Sequence, residues 1–388
     1  MIRALQFERS LPRYAAARVA GSLAPGMGAR VGPLRLTDLS EPHLPGPAWR
    51  QVRPRLAGIC GSDLATIDSH VSRYFEPVVS FPFVPGHEVV GELDGDPARR
   101  VVLEPVLGCV ARGVQPLCGP CAGGRHDCCE RISVGDVEPG LQIGYCADTG
   151  GGWSTGLVAH QSQVHAVPGG MSDEAAVMVE PAACAVHGAG SVDGGTVLVL
   201  GAGTLGLCAI AALRRFSTPG TVIAVAKHPE QRRLAAELGA DVVVGSDETR
   251  RAVRRVTASL QVGRRLSGGA DVVIDCVGTA ASVAEDLAVV RPGGTVVLLG
   301  MPSTVSVDLT PLWQRQVTLR GSYAYGTEPG GRTTFDMAFE LVAEAGLERL
   351  VTALYPLDRY REAIEHAANA GRRGAIKVAF DLRGEKRR

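Results

Sequence analysis

Thr196-Val-Leu-Val-Leu-Gly201-Ala-Gly-Thr-Leu-Gly206 is an apolar, β-branched run that ends in three closely spaced glycines and leads into Leu205–Phe216, a segment with helical spacing. A buried strand, a tight turn and a helix are expected in that order. Further short runs of the same kind follow at 221–225 (TVIAV), 240–244 (ADVVV), 270–276 (ADVVIDC) and 294–300 (GTVVLLG). Between them, 229–238 and 281–290 have helical spacing, the second ended by Arg291-Pro-Gly-Gly294. Alternating buried strands and helices predict a doubly wound parallel sheet, so this part of the chain is α/β.

Outward from that block the pattern changes. Residues 1 to about 170 carry many short runs broken by Pro and Gly, with little sustained helical period, as in a mostly β domain. After the block, 333–345 and 357–370 read as helices and 375–380 (AIKVAF) as a strand. That tail is too short to stand alone, so it is expected to complete the first domain. The expected domains are 1–175 completed by 326–388, and 176–325. Residues 24–47, rich in Pro and Gly, read as a surface excursion with no assigned element.

Forty Lys and Arg balance forty Asp and Glu, leaving no electrostatic footprint for a nucleic acid or an anionic membrane. The longest nearly apolar run, Val197–Leu213, is interrupted by glycines and does not read as a membrane span. No signal for secretion is visible at the N-terminus, and a soluble, cytoplasmic protein is expected. In that compartment, ten cysteines, five of them between Cys109 and Cys129, point to metal or catalytic sites more than to disulfides.

The glycines at 201, 203 and 206 allow a tight turn, approach of a pyrophosphate to the backbone, and close helix packing, with Thr204 and Leu205 opening the helix. A dinucleotide site is therefore expected. About twenty residues after Gly206, where a carboxylate would hold a ribose 2′-hydroxyl, stands Ala226, followed by Lys227 and His228, with Arg232 nearby. Cations in place of the acid suit a 2′-phosphate, so NADP is favoured over NAD. Arg233 reads as a solvated helix charge.

Cys60 in Gly-Ile-Cys-Gly-Ser-Asp63, with His87 and Glu88 in Pro-Gly-His-Glu88, offers sulfur, imidazole and carboxylate to a Zn²⁺ ion with a fourth position open. Cys118-Gly-Pro-Cys121 followed by Cys128-Cys129, with Cys109 upstream, has structural-zinc character; the alternative is a set of free or redox thiols. Cys146, Cys184, Cys208 and Cys276 read as small buried residues.

Taken in order, GICGSD, PGHE, the cysteine hairpin, Glu180-Pro-Ala-Ala183 and GAGTLG make the chain, from about Arg50 to Leu382, resemble the zinc-dependent medium-chain alcohol dehydrogenases. The resemblance is closest to the polyol, threonine and glucose dehydrogenase branch. It implies a GroES-like catalytic domain completed by the C-terminal segment, a Rossmann domain, and an active site in the cleft against it. By that likeness Cys60 and His87 would be zinc ligands, Glu88 a constant or alternating one, and Glu180 the remaining ligand, direct or through water. Ser62 would bond the substrate hydroxyl. Cys118, Cys121 and Cys129 would be three of four lobe-zinc ligands.

Two positions depart from the family pattern. The first lobe cysteine falls on Gln115, so the site recruits Cys109 or Cys128, binds weakly, or is empty. The family's proton-relay histidine falls on Ala65, leaving Asp63, Asp68 or His70 as substitutes. Tyr74, Phe75, Phe81 and Phe83, in a stretch longer than the family's common length, are candidates for the substrate mouth or for core. The resemblance implies a zinc-dependent oxidoreductase, in a dimer or tetramer, and with the NADP preference read from residues 226–228 the expected substrate is a secondary alcohol or its ketone or aldehyde. The alternatives are hydride delivery to a conjugated alkene or iminium, and a non-catalytic nucleotide-binding zinc protein.

Overall fold

The computed structural model describes residues 1–190 and 192–385. The chain forms two compact units, Met1–Glu180 with Tyr325–Arg388, and Pro181–Ala324.

In the second unit six parallel strands lie in the order Val242–Val244, Thr221–Val225, Thr196–Leu200, Ala270–Asp275, Val290–Leu298 and Thr318–Gly321. Thr196–Leu200 is buried throughout, as its all-apolar interior demands. Strand order reverses between Thr196–Leu200 and Ala270–Asp275, which leaves a crevice at their carboxyl ends, beside Gly201 and Cys276. The break expected at Arg291–Gly294 is different in form. The helix ends at Val289, and these residues bulge within Val290–Leu298, where pairing jumps from Ala270/Val290 to Val272/Thr295.

The first unit is built on a seven-stranded sheet whose centre is Trp49–Gly58, flanked by Val89–Leu93 and by the C-terminal strand Lys377–Asp381. The tail of the chain thus pairs antiparallel with an early strand. Residues 24–47 contain more structure than a surface excursion: Leu34–Leu39 pairs antiparallel with Ile2–Phe7, and Gly28–Val31 is a single helical turn. A helix at Leu11–Leu23, not evident from the apolar period, lies between those strands. Its buried residues are only Ala17 and Gly21, while Leu11, Val19 and Leu23 are exposed, so its apolar pattern does not report its packed face. No helix among the described residues is long and apolar enough to cross a membrane.

Candidate metal and cofactor sites

The strand Trp49–Gly58 delivers Cys60 to the N-cap of the helix Gly61–Ile67. The Asp63 carboxylate, in the first turn, accepts the Cys60 N–H at 3.0 Å and locks that entry. From the other side Gly86, at φ +95°, turns the chain so that His87 and Glu88 enter the core ahead of Val89–Leu93. A side chain at Gly86 would strike the Trp153 ring at 2.3 Å, and one at Gly58 would overlap the Glu88 carboxylate at 1.8 Å. Both glycines are required by close approach.

These constraints bring the Cys60 sulfur, a His87 ring nitrogen and a Glu88 oxygen within 4.8 Å of one another. His87 and Glu88 are almost fully buried. His87 Nδ1 faces Asp63 Oδ1 at 3.6 Å and makes no hydrogen bond with any described residue. Burial pushes the His87 imidazolium down, but Asp63 and Cys60 outweigh it and hold the pKa well above the ordinary value. Sulfur, imidazole and carboxylate in one buried pocket fit Zn²⁺.

Glu88 is also tied elsewhere, since Lys377 Nζ lies 2.6 Å from each of its oxygens. Glu180, in the first turn of the helix Val179–Ala189, stands outside the close group. Tyr325 donates its hydroxyl to Glu180 Oε1 at 3.2 Å, and burial, with His87 opposing and Glu88 adding, pushes the Glu180 carboxyl up to about 7. Ser62 Oγ is buried and makes no hydrogen bond with any described residue.

The substitute relay residues are engaged in other ways. Asp63 holds Cys60 and faces His87; Asp68 accepts the N–H groups of Gly26 and Gly28 at 2.7 and 2.9 Å; His70 Nε2 is 3.3 Å from Ser22 Oγ. A polar group that sequence reasoning missed is Tyr145, whose hydroxyl lies 3.3 Å from Thr66 Oγ1 and 3.5 Å from Asp63 Oδ1. Phe83 is core, stacked on Phe7, and Tyr74 is exposed.

In the second cluster Cys109, not Cys128, lies beside the hairpin sulfurs. The sulfurs of Cys109, Cys118, Cys121 and Cys129 all lie within 4.8 Å of one another, with Cys109 and Cys129 at 3.6 Å. Cys128 is exposed, its thiol between Arg125 and Asp127, and Gln115 is exposed as well. Burial would raise the Cys118 thiol, but the Glu130 and Cys121 N–H groups bring it down to about 7. Four sulfurs in that arrangement suit a tetrahedral structural ion.

In the second unit, Gly201 has φ +94°, and a side chain at Gly206 would overlap the Gly201 carbonyl at 1.8 Å. Gly203 faces open space and caps the helix Thr204–Phe216, with Thr204, Leu205 and Gly206 in its first turn. Ala226 is buried at the end of its strand, Lys227 is exposed, and His228 caps the helix Pro229–Glu237. Arg232 Nε donates to the Ala226 carbonyl at 2.9 Å, which holds the guanidinium beside the strand end. Arg233 is taken up by Glu230 and Glu237.

Two family models match the chain, the alcohol dehydrogenase GroES-like domain over residues 46–169 and the zinc-binding dehydrogenase over residues 204–344. The chain belongs to the zinc-dependent medium-chain alcohol dehydrogenase family. It is an NAD(P)-dependent oxidoreductase that exchanges a hydride with an alcohol or carbonyl substrate. It is 29% identical to a sorbitol dehydrogenase of Arabidopsis thaliana over 87% of this chain and 89% of that one. It is 28% identical to an L-idonate 5-dehydrogenase of Vitis vinifera over the same shares. Among solved structures, a zinc-binding dehydrogenase of Sinorhizobium meliloti 1021 bound to NADP superposes with a TM-score of 0.70 at 26% identity, covering 98% of this chain and 99% of that one.

Proposed function

We propose that Cys60, His87 and Glu88, with Glu180 at the edge of the set, hold the catalytic zinc, and that the enzyme uses NADP to interconvert a small secondary alcohol, of polyol type, and its carbonyl form. When bound, zinc polarises the substrate oxygen and the nicotinamide exchanges a hydride with the carbinol carbon. The protein's own groups do the rest. Asp63 faces the His87 ring, and Lys377 pairs with the Glu88 carboxylate and balances its charge. The unpartnered Ser62 Oγ is free to accept a hydrogen bond from the substrate hydroxyl and hold it in place. Lys227 and Arg232, beside the uncharged Ala226, take the 2′-phosphate. Cys109, Cys118, Cys121 and Cys129 hold a second, structural zinc. A homodimer or tetramer fits the family.

The observation that carries this reading is the convergence of three ligand types within 4.8 Å beside a buried, unpartnered serine hydroxyl. Assaying a panel of polyols and secondary alcohols with NADP and with NAD tests it. The reading expects turnover that is lost on Ser62→Ala and on chelation. Turnover of conjugated alkenes alone, or tight cofactor binding without any turnover, would contradict it.

A further inference from the structure

The chain-wide balance of forty basic and forty acidic residues conceals one local excess. Residues 249–270 hold six arginines and no Asp or Glu. Arg250 pairs with Glu285, its Nε 2.9 Å from Oε1, and Arg265 Nη1 donates to Gln314 Oε1 at 3.0 Å. The other four, Arg251, Arg254, Arg255 and Arg264, are exposed, and among the described residues no carboxylate lies against them. Elsewhere in this unit such cations are tied down, Arg214 by Asp241, Arg233 by Glu230 and Glu237, and Arg291 by Asp271.

The fold gathers these charges. The helix Thr249–Val256 buries Ala252 and Val253 in one core cluster with Ile223 and Val225, so Arg251, Arg254 and Arg255, at i, i+3 and i+4, share its outer face. The Ser259 N–H then returns to the Arg254 carbonyl at 3.1 Å, with Ala258 at φ +50°, and the chain enters a short hairpin pairing Gln261–Val262 with Arg265–Leu266. Leu266 enters the core, whereas Leu260 is 72% and Val262 49% exposed, flanked in sequence by the helix arginines and by Arg264. Unpaired like charges on one face repel each other, and an opposing anionic surface removes that cost. A duplex backbone would match the charge but not the two aliphatic side chains, and residues 249–270 hold no aromatic ring on which a base could stack. An anionic bilayer takes both, with arginines among the lipid phosphates and aliphatic side chains at the acyl boundary. We propose that the helix Thr249–Val256 and the hairpin after it form a docking surface for an anionic membrane, on which the protein lies without spanning it.

The test is co-sedimentation of the full-length protein with vesicles of phosphatidylcholine alone and of phosphatidylcholine mixed with phosphatidylserine. Binding should need phosphatidylserine and should weaken as salt rises. Each arginine near such a surface strengthens binding roughly fivefold, so Arg251→Gln, Arg254→Gln and Arg255→Gln together should weaken it about a hundredfold. The same three positions changed to Lys keep the charge and should bind as wild type does. Leu260→Ser with Val262→Ser leaves the charge unchanged and should weaken binding by about tenfold or more. No binding to the mixed vesicles, equal binding to both kinds, or binding that the three Gln changes leave intact overturns the proposal. Equal or tighter binding to a DNA duplex, unaffected by the paired Ser changes, makes nucleic acid the partner and overturns it too.

Discussion

Lys377 Nζ sits 2.6 Å from both oxygens of Glu88, and the two side chains are 3% and 1% exposed. Burial pushes the Lys377 ammonium down, but Glu88 and then Cys60 more than restore it. Each charge is paid for by the other. Removing one partner strands the other in the core, so Lys377→Met should cost about 3–5 kcal/mol in urea denaturation. Adding Glu88→Gln to it should cost far less than the sum of the single changes. Additive effects would show that the pair is not coupled.

Cofactor choice should turn on Ala226. A carboxylate placed there in Ala226→Asp would repel the 2′-phosphate and accept a 2′-hydroxyl, so KM for NADP should rise steeply while that for NAD holds or falls. Arg232→Ala should weaken NADP alone, by about 1.5–3 kcal/mol for one charged hydrogen bond. Equal effects on the two cofactors would contradict the assignment.

In the second unit, Asp286 is fully buried, and neither of its carboxyl oxygens has a donor among the described residues. Asp275 faces it, with its own Oδ1 accepting the Val277 and Gly278 N–H groups. Burial first, and then Asp275, pushes the Asp286 carboxyl up from an ordinary 3.8 to about 10. Between those values the folded chain keeps a proton that the unfolded chain has released, so this group's contribution is fully present below the lower value and is lost as pH rises through the upper one. Asp286→Asn removes the titration. Its stability relative to wild type should improve steadily from about pH 5 to about pH 9. A flat difference would refute a proton held on Asp286 in the folded chain.

Cys109→Ser should lower zinc content by one ion per chain, while Cys128→Ser, which changes an exposed thiol held by Arg125 and Asp127, should leave it unchanged. Elemental analysis of the two variants decides between the two cysteines.

Much of this was legible in the residues. The buried strands announce themselves because each is a β-branched run closed by glycine or charge, and Thr196–Gly206 carries its turn, its helix and its crevice in eleven letters. Thr318–Gly321 gives no such signal, since every residue of that edge strand is exposed. Leu11–Leu23 hides its helix because it packs through Ala17 and Gly21. Spacing alone left Cys109 and Cys128 as equal candidates, because a loop turned by Gly113, at φ +64°, brings Cys109 to the hairpin from outside the spacing of the motif. Lys377 lies 289 positions from Glu88, yet one clue was available: a single lysine in the otherwise apolar run AIKVAF, which a core strand tolerates only with a partner.

The most direct test of the account is an anomalous-scattering measurement at the zinc edge on crystals grown with zinc and NADP. It predicts one peak bonded to Cys60 Sγ and the His87 imidazole, and a second among Cys109, Cys118, Cys121 and Cys129. A filled four-cysteine cluster with no metal at Cys60 and His87 would contradict it.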